Sequence, residues 1–244
     1  MATVRFARLT EARLLGPDTR LLDLAMLDGE PLGFIGGQYV IVDSGLVLPT
    51  GKAAKRAYSI LSDDREQTRF QIAVKRIGAG LASGYLNDVA VGAELKFSGP
   101  WGKLFPAEGA TGPALVLATD TGVTAALGLL QSRRFLPLLP STTFYWLRTD
   151  PEYCLPDDFV RSRLPGTLGR AEVEVPPPID HPERVGWVRG LVRDLIQPGR
   201  LGQAFIAGDG AVNYALLDDL MAAGVPATRD SVESFFNMPK KSAA

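Results

Sequence analysis

The chain has 244 residues, of which 46% are apolar and 22% charged, an ordinary soluble composition with room for two domains of about 100–150 residues each. A formal net charge of −1 gives no footprint for nucleic acid or an anionic membrane surface. A single cysteine, Cys154, and a single histidine, His181, exclude an internal disulfide, a four-thiolate iron–sulfur cluster and a histidine-rich metal site within the chain.

The opening residues, MATVRFARLTEARLLG, lack a long apolar core and a small-residue cleavage pattern, and no run approaches the ~20 apolar residues of a membrane span. A soluble cytoplasmic protein is therefore expected, with nothing to separate monomer from dimer. Short strands are predicted over Val4–Leu14, Arg20–Leu27, Gln38–Val42, Ala57–Leu61, Phe70–Arg76 and Glu94–Ser98. Turn residues divide them, such as Gly16-Pro17-Asp18 and Asp28-Gly29-Glu30-Pro31. Strands at this spacing, interrupted by one short helix over Ala82–Asn87, predict a six-stranded antiparallel barrel over residues 1–109.

The pattern changes after the small-residue stretch Glu108-Gly109-Ala110-Thr111-Gly112-Pro113. Apolar strands are predicted at Ala114–Ala118, Thr142–Leu147, Ala171–Val175 and Ala204–Ala207. Helices are predicted over Val123–Ser132, Val188–Ile196 and Val212–Ala222. This alternation predicts a parallel sheet wrapped by helices over residues 110–244, with its ligand at the carboxyl ends of the strands.

The stretch Arg56-Ala57-Tyr58-Ser59 places a guanidinium and a phenol on one face of a strand and a hydroxyl on the other. A guanidinium suits a diphosphate as a charge-assisted fork, and a phenol ring offers a flat surface to a heterocycle. Downstream, Gly78-Ala79-Gly80-Leu81-Ala82-Ser83 ends a strand and opens a helix. The free backbone N–H groups of Ala82 and Ser83 there form an anion site. Arg56 and these amides read as two jaws on one pyrophosphate of a dinucleotide with a planar ring system. In the second half, Leu117-Ala118-Thr119-Asp120-Thr121-Gly122-Val123-Thr124 is another strand-to-helix turn of phosphate type. Asp120 introduces a carboxylate that would repel a pyrophosphate. It either points away and caps the following helix, or weakens or alters nucleotide binding.

The series Gly37-Gln38-Tyr39-Val40, Arg56-Ala57-Tyr58-Ser59-Ile60, Gly80-Leu81-Ala82-Ser83 and Gly99-Pro100-Trp101-Gly102 resembles the ferredoxin–NAD(P) reductase family in order and spacing, in its form without a fused iron–sulfur domain. The resemblance implies an FAD-binding barrel followed by an NAD(P)-binding domain. By it, Arg56 pairs with the FAD pyrophosphate, Tyr58 packs on the isoalloxazine, and Ser59 lies near flavin N5. Val74, Lys75 and Arg76 contribute backbone contacts, and Gly80, Leu81, Ala82 and Ser83 complete the phosphate loop. Thr121 and Gly122 would cradle NAD(P)H, with Gly208 and Asp209 in the turn of the last predicted strand. Glu233-Ser234-Phe235-Phe236 matches the family's closing Glu-x-aromatic-aromatic signature, which puts Glu233 near the flavin as a proton relay and Phe235 beside the cofactor.

The chain departs from the family at Asp120, where a glycine is usual, at Ala125 for a proline, and at Ala207 for a cysteine. Arg148 follows the second strand of the parallel sheet, but Asp150 and Glu152 crowd it, which tips the nucleotide toward NADH. The expected activity is that of a flavoprotein reductase. Hydride passes from NAD(P)H to FAD, and electrons then pass to an external acceptor such as a ferredoxin or an oxygenase component. Two alternatives stand beside it: an FAD-binding electron-transfer subunit of a larger complex with weak or no turnover of its own, and a flavin reductase.

Overall fold

The computed structural model describes residues 4–150 and 154–238. Glu152 and the last six residues of the tail, 239–244, lie outside the described residues. In the first half run β1 (Val4–Leu14), β2 (Thr19–Met26), β3 (Tyr39–Val47), β4 (Ala53–Ser59), β5 (Arg69–Lys75) and β6 (Glu94–Trp101). They form one antiparallel sheet in the order β4-β3-β6-β1-β2-β5. Alternation along β2 and β5 puts Leu22, Leu24, Phe70, Ile72 and Val74 into the same interior as Val40, Val42 and Phe97. Leu61 N donates to the Gln71 carbonyl at 3.0 Å, so the exit of β4 is drawn onto β5 and the sheet curls into a barrel. Helix α1 (Leu81–Asp88) packs against β3, β4 and β5, with Leu86 in the barrel core.

The second half holds β7 (Ala114–Thr119), α2 (Val123–Leu130), β8 (Thr142–Leu147), α3 (Asp157–Arg163) and β9 (Arg170–Glu174). It continues with α4 (Arg184–Val192), β10 (Gln203–Asp209), α5 (Gly210–Ala222) and β11 (Val232–Phe236). The sheet is parallel in the order β11-β10-β7-β8-β9, so the chain order reverses between β7 and β10. Every residue of β7 is buried, as a strand covered on both faces requires. One face packs under α2, the other under α4 and α5.

Element types follow the sequence pattern, and some bounds do not. The strand expected over Ala57–Leu61 lies at Ala53–Ser59. Ile60 and Leu61 leave the β3 ladder to meet the second half. The helix expected over Val188–Ile196 begins earlier, at Arg184, because that side chain is drawn into the interior by carboxylates described below. Helix α3 and strand β11 are additional to the expected elements.

The two halves meet along α2. A Cβ at Gly128 would lie 2.1 Å from the Ile60 carbonyl oxygen, and one at Gly36 would lie 2.0 Å from the Gly128 carbonyl oxygen. Backbone therefore touches backbone across the seam. Asp64, buried on the barrel side, accepts hydrogen bonds from Gly36 N (3.1 Å), Ser132 Oγ (2.6 Å) and Arg133 N (2.9 Å). Gln131 Nε2 adds a bond to the Leu61 carbonyl at 2.9 Å. Gly128→Ala would force backbone apart rather than a flexible side chain. It is expected to destabilise the protein by about 1–3 kcal/mol, seen as a lower urea midpoint. An unchanged midpoint would mean that the seam yields at no cost.

Candidate functional site

Strand β4 lies at an edge of its sheet, with β3 as its single ladder partner. Arg56 and Ala57 are exposed on it, Tyr58 is half-buried and Ser59 is buried. The guanidinium of Arg56 donates to its neighbour's Lys55 carbonyl at 2.9 Å, its one hydrogen bond among the described residues. The Tyr58 hydroxyl is buried without a hydrogen-bond partner. Burial pushes this phenol up to about 12, partly offset by Arg56. A buried hydroxyl without a partner costs free energy that a bound polar group would recover.

Across from β4, α1 starts at Gly80 with no side-chain cap and no acidic residue in its first turn. Ala82 and Ser83 are buried there, and Ser83 Oγ turns back to donate to the Gly80 carbonyl at 3.0 Å. The helix start is thus left positive and uncovered by the protein's own side chains. An uncommitted arginine, an uncapped helix start and an orphaned tyrosine hydroxyl fit the diphosphate and ring of FAD. By contrast, the side chains of Lys75 and Arg76 are engaged with Asp18 and Asp88, and Asn87 Nδ2 donates to the Val74 carbonyl at 3.3 Å.

At the carboxyl end of β7, Asp120 adopts φ 50° and opens a short 3-10 turn, Asp120–Gly122, that runs into α2. Neither the turn nor α2 has a side-chain cap. Gly122 and Gly208 are explained by protein packing. A Cβ at Gly122 would lie 2.1 Å from the Ala207 carbonyl oxygen, and one at Gly208 would lie 2.2 Å from Thr119 Oγ1. Of the two readings of Asp120, the structure shows the carboxylate pointing away from the turn but capping no helix. Its Oδ1 accepts from Thr149 N at 2.8 Å and its Oδ2 from Arg184 Nη2 at 2.7 Å. Arg184 Nε reaches Asp209 Oδ2 at 2.9 Å, and the three side chains are at most 1% exposed. Asp209 Oδ1 caps α5 through Ala211 N (2.9 Å) and takes Asn237 Nδ2 (2.8 Å). Arg184 Nη1 donates to Thr149 Oγ1 (3.0 Å) and the Pro177 carbonyl (2.7 Å). Asp209 therefore turns its carboxylate inward, and its backbone N–H donates to Thr119 Oγ1 at 2.6 Å.

The closing segment brings the halves together chemically. Glu233 pairs with Ala207 along β10–β11, and Asn213 Nδ2 anchors its carbonyl at 3.0 Å. A Cβ at Gly102 would stand 3.2 Å from Glu233 Oε2 and 3.0 Å from the Tyr39 ring, so the two side chains face the same point. Tyr39 in turn pairs with Ser59 on β4 and Trp101 on β6. Ser59 and Glu233, far apart in sequence, thus flank one tyrosine. The register shift after Gly208 pairs Asp209 with Phe236 and pushes Phe235 outward, 37% exposed. Tyr39, Gly102 and Arg184 are additions to the expected site residues. The first two lie inside motifs read only for their spacing, and Arg184 carries no motif.

Burial raises the Glu233 carboxyl from its ordinary 4.5 to about 7, and burial together with Glu233 raises the Tyr39 phenol. The folded state then holds the Glu233 proton more tightly than the unfolded chain. Stability from this group falls as pH rises from 4.5 to about 7 and is flat above. Glu233→Gln is expected to flatten that decline and to raise the melting temperature at about pH 8, with little change near the acid end. Parallel melting curves for the two proteins across this range would refute the buried-carboxyl assignment.

The site thus joins a barrel with an uncapped helix start to a parallel sheet whose chain order reverses between β7 and β10. Residues 6–105 match the oxidoreductase FAD-binding domain family. The chain is 40% identical over 127 residues to ferredoxin–NADP reductase B of Sorangium cellulosum, covering 52% of this chain and 50% of that protein. It is 32% identical over 131 residues to the reductase subunit of an aromatic O-demethylase of Amycolatopsis, covering 52% and 37%. The cytochrome b5 reductase domain of Ulva prolifera nitrate reductase shares the fold, with a TM-score of 0.73 at 15% identity over 96% of this chain and 97% of that one. A ferredoxin reductase in carbazole 1,9a-dioxygenase does so with a TM-score of 0.71 at 18% identity, over 95% and 68%. The chain is thus similar to a ferredoxin–NADP reductase over about half of its length. It spans half or less of the length of these two relatives matched by sequence.

Proposed function

We propose that the protein is a flavoprotein reductase that takes hydride from NAD(P)H and delivers electrons to an external acceptor protein, a ferredoxin or an oxygenase component. The reading assigns FAD to residues 1–109 and the nucleotide to residues 110–244. One observation carries it: Glu233, from the edge of the parallel sheet, lies beside Tyr39, whose strand partner is Ser59 of the barrel. That is the junction at which two bound ring systems would have to meet.

Bound FAD would supply the step from two-electron acceptance to one-electron release. The chain's own part is binding, orientation and proton handling. Arg56 and the amides of Leu81, Ala82 and Ser83 grip the diphosphate, and Tyr58 receives the planar ring. Ser59 presents its hydroxyl at the end of β4. Glu233, with its carboxyl held near neutrality, takes up or releases a proton at Oε2. The amides of Thr121 and Gly122 face the nucleotide diphosphate, with the Gly208-Asp209 turn at the neighbouring strand end, where Asp209 N is held by Thr119 Oγ1. None of the described helices is long and apolar enough to cross a membrane, and we place the protein in the cytoplasm with a soluble acceptor. Ala207, in place of the family's cysteine, favours a second reading, a flavin-carrying subunit with weak turnover of its own.

Protein loaded with FAD and freed of the excess should show oxidised-flavin absorption, lose it on anaerobic addition of NADH or NADPH, and in a separate assay pass the electrons on to a dye acceptor. Flavin that is bound but reduced by neither nucleotide would leave only the subunit reading. Arg56→Ala should weaken FAD binding by about 1.5–3 kcal/mol, the worth of a charge-assisted hydrogen bond. Equal flavin affinity in mutant and parent, by fluorescence titration, would remove Arg56 from the site.

A further inference from the structure

The turn proposed to hold the nucleotide diphosphate carries an anion of its own. Asp120 sits there at φ 50°, a backbone region that favours glycine. A carboxylate free to swing toward the crevice would repel a diphosphate. In the structure both oxygens are turned inward, one by Thr149 N and the other by Arg184. Arg184 also holds Asp209, the residue at the neighbouring strand end, so one guanidinium restrains both carboxylates at the β7–β10 switch point. The two helices starting there differ in consequence. The first turn of α5 is capped by Asp209, whereas the Asp120–Gly122 turn and α2 carry no side-chain cap.

We propose that Arg184 is a positioning residue for nucleotide binding. By holding the Asp120 and Asp209 carboxylates inside the protein, it keeps the amides of the Asp120–Gly122 turn open to a dinucleotide diphosphate. This rests on the functional reading above, which puts NAD(P)H at that turn. A left-handed aspartate is then compatible with an anionic ligand because a cation delivered by α4, from another part of the chain, neutralises it and fixes its direction. Full burial of the guanidinium, with Nε, Nη1 and Nη2 all donating, leaves it no ligand of its own.

The test is calorimetric titration of the FAD-loaded protein with NAD+ and with NADP+, which report binding without turnover. Arg184→Met should weaken the better-bound nucleotide at least tenfold while the flavin spectrum is retained. Adding Asp120→Asn to Arg184→Met should recover most of the loss, because the released carboxylate is gone. A purely structural arginine predicts no such recovery. Binding by Arg184→Met equal to the parent, or a loss that Asp120→Asn does not recover, overturns the proposal. Should Arg184→Met fail to fold, Arg184→Lys keeps the charge but not the span between the two carboxylates. The same recovery by Asp120→Asn is then expected, and its absence is equally fatal. A parent protein that binds neither nucleotide removes the functional reading and this inference with it, whereas normal parent binding with an indifferent Arg184→Met removes this inference alone.

Discussion

Contact between Gly128 of α2 and the Ile60 carbonyl of the barrel sets the geometry on which the rest depends. Helix α2 is eight residues long, about 12 Å. Its first residue follows the Asp120–Gly122 turn and its last turn rests on the barrel where β4 ends. A single short rod therefore fixes the distance between the Asp120–Gly122 turn and the Tyr58–Ser59 end of β4. Side chains at Gly36 or Gly128 would lengthen that distance. Asp64 fixes its direction, since its carboxylate accepts from the loop before β3 and from the residues that close α2.

Electrostatics divides the site into an open and a closed part. On the barrel side, the positive groups are left for a ligand: Arg56 has no acidic partner and α1 has no cap. On the sheet side, the charges are internal, with Arg184 between Asp120 and Asp209, all nearly inaccessible to water. Charges buried to that degree are kept only with full pairing, and removing one partner of such a pair commonly costs about 3–5 kcal/mol. The result is a rigid rim. One network ties the carboxyl ends of β7 and β10, the second residue after β8 and the segment leaving β11, at the edge where parallel sheets commonly bind ligands. Glu233 stands on that rim, so its position beside Tyr39 follows from the network and from the seam together.

Much of the fold was legible in residue patterns. Alternation in β2 and β5 and the unbroken apolar run of β7 carry their own period, and a period is a local property of the chain. The turn that opens α1 was legible for the same reason: closely spaced glycines before a helix need no distant partner to be read. Strand β11 and the start of α4 were not. Both are held by contacts to residues remote in sequence, β11 by its ladder with β10 and Arg184 by two carboxylates, and neither has strong periodicity of its own.

The residues alone determined a barrel followed by a parallel sheet, a glycine-rich turn opening a helix beside an arginine-bearing strand, and a family resemblance carried by short motifs. They also exposed Asp120 as an anomaly without resolving it. Tertiary structure decided where that carboxylate points, that Glu233 meets Tyr39 opposite Ser59, and that glycines 122 and 208 serve backbone packing. The physical reason is range. Propensity and period act over a few neighbours, whereas the direction of a buried charge is set by whichever opposite charge the fold brings within hydrogen-bonding distance.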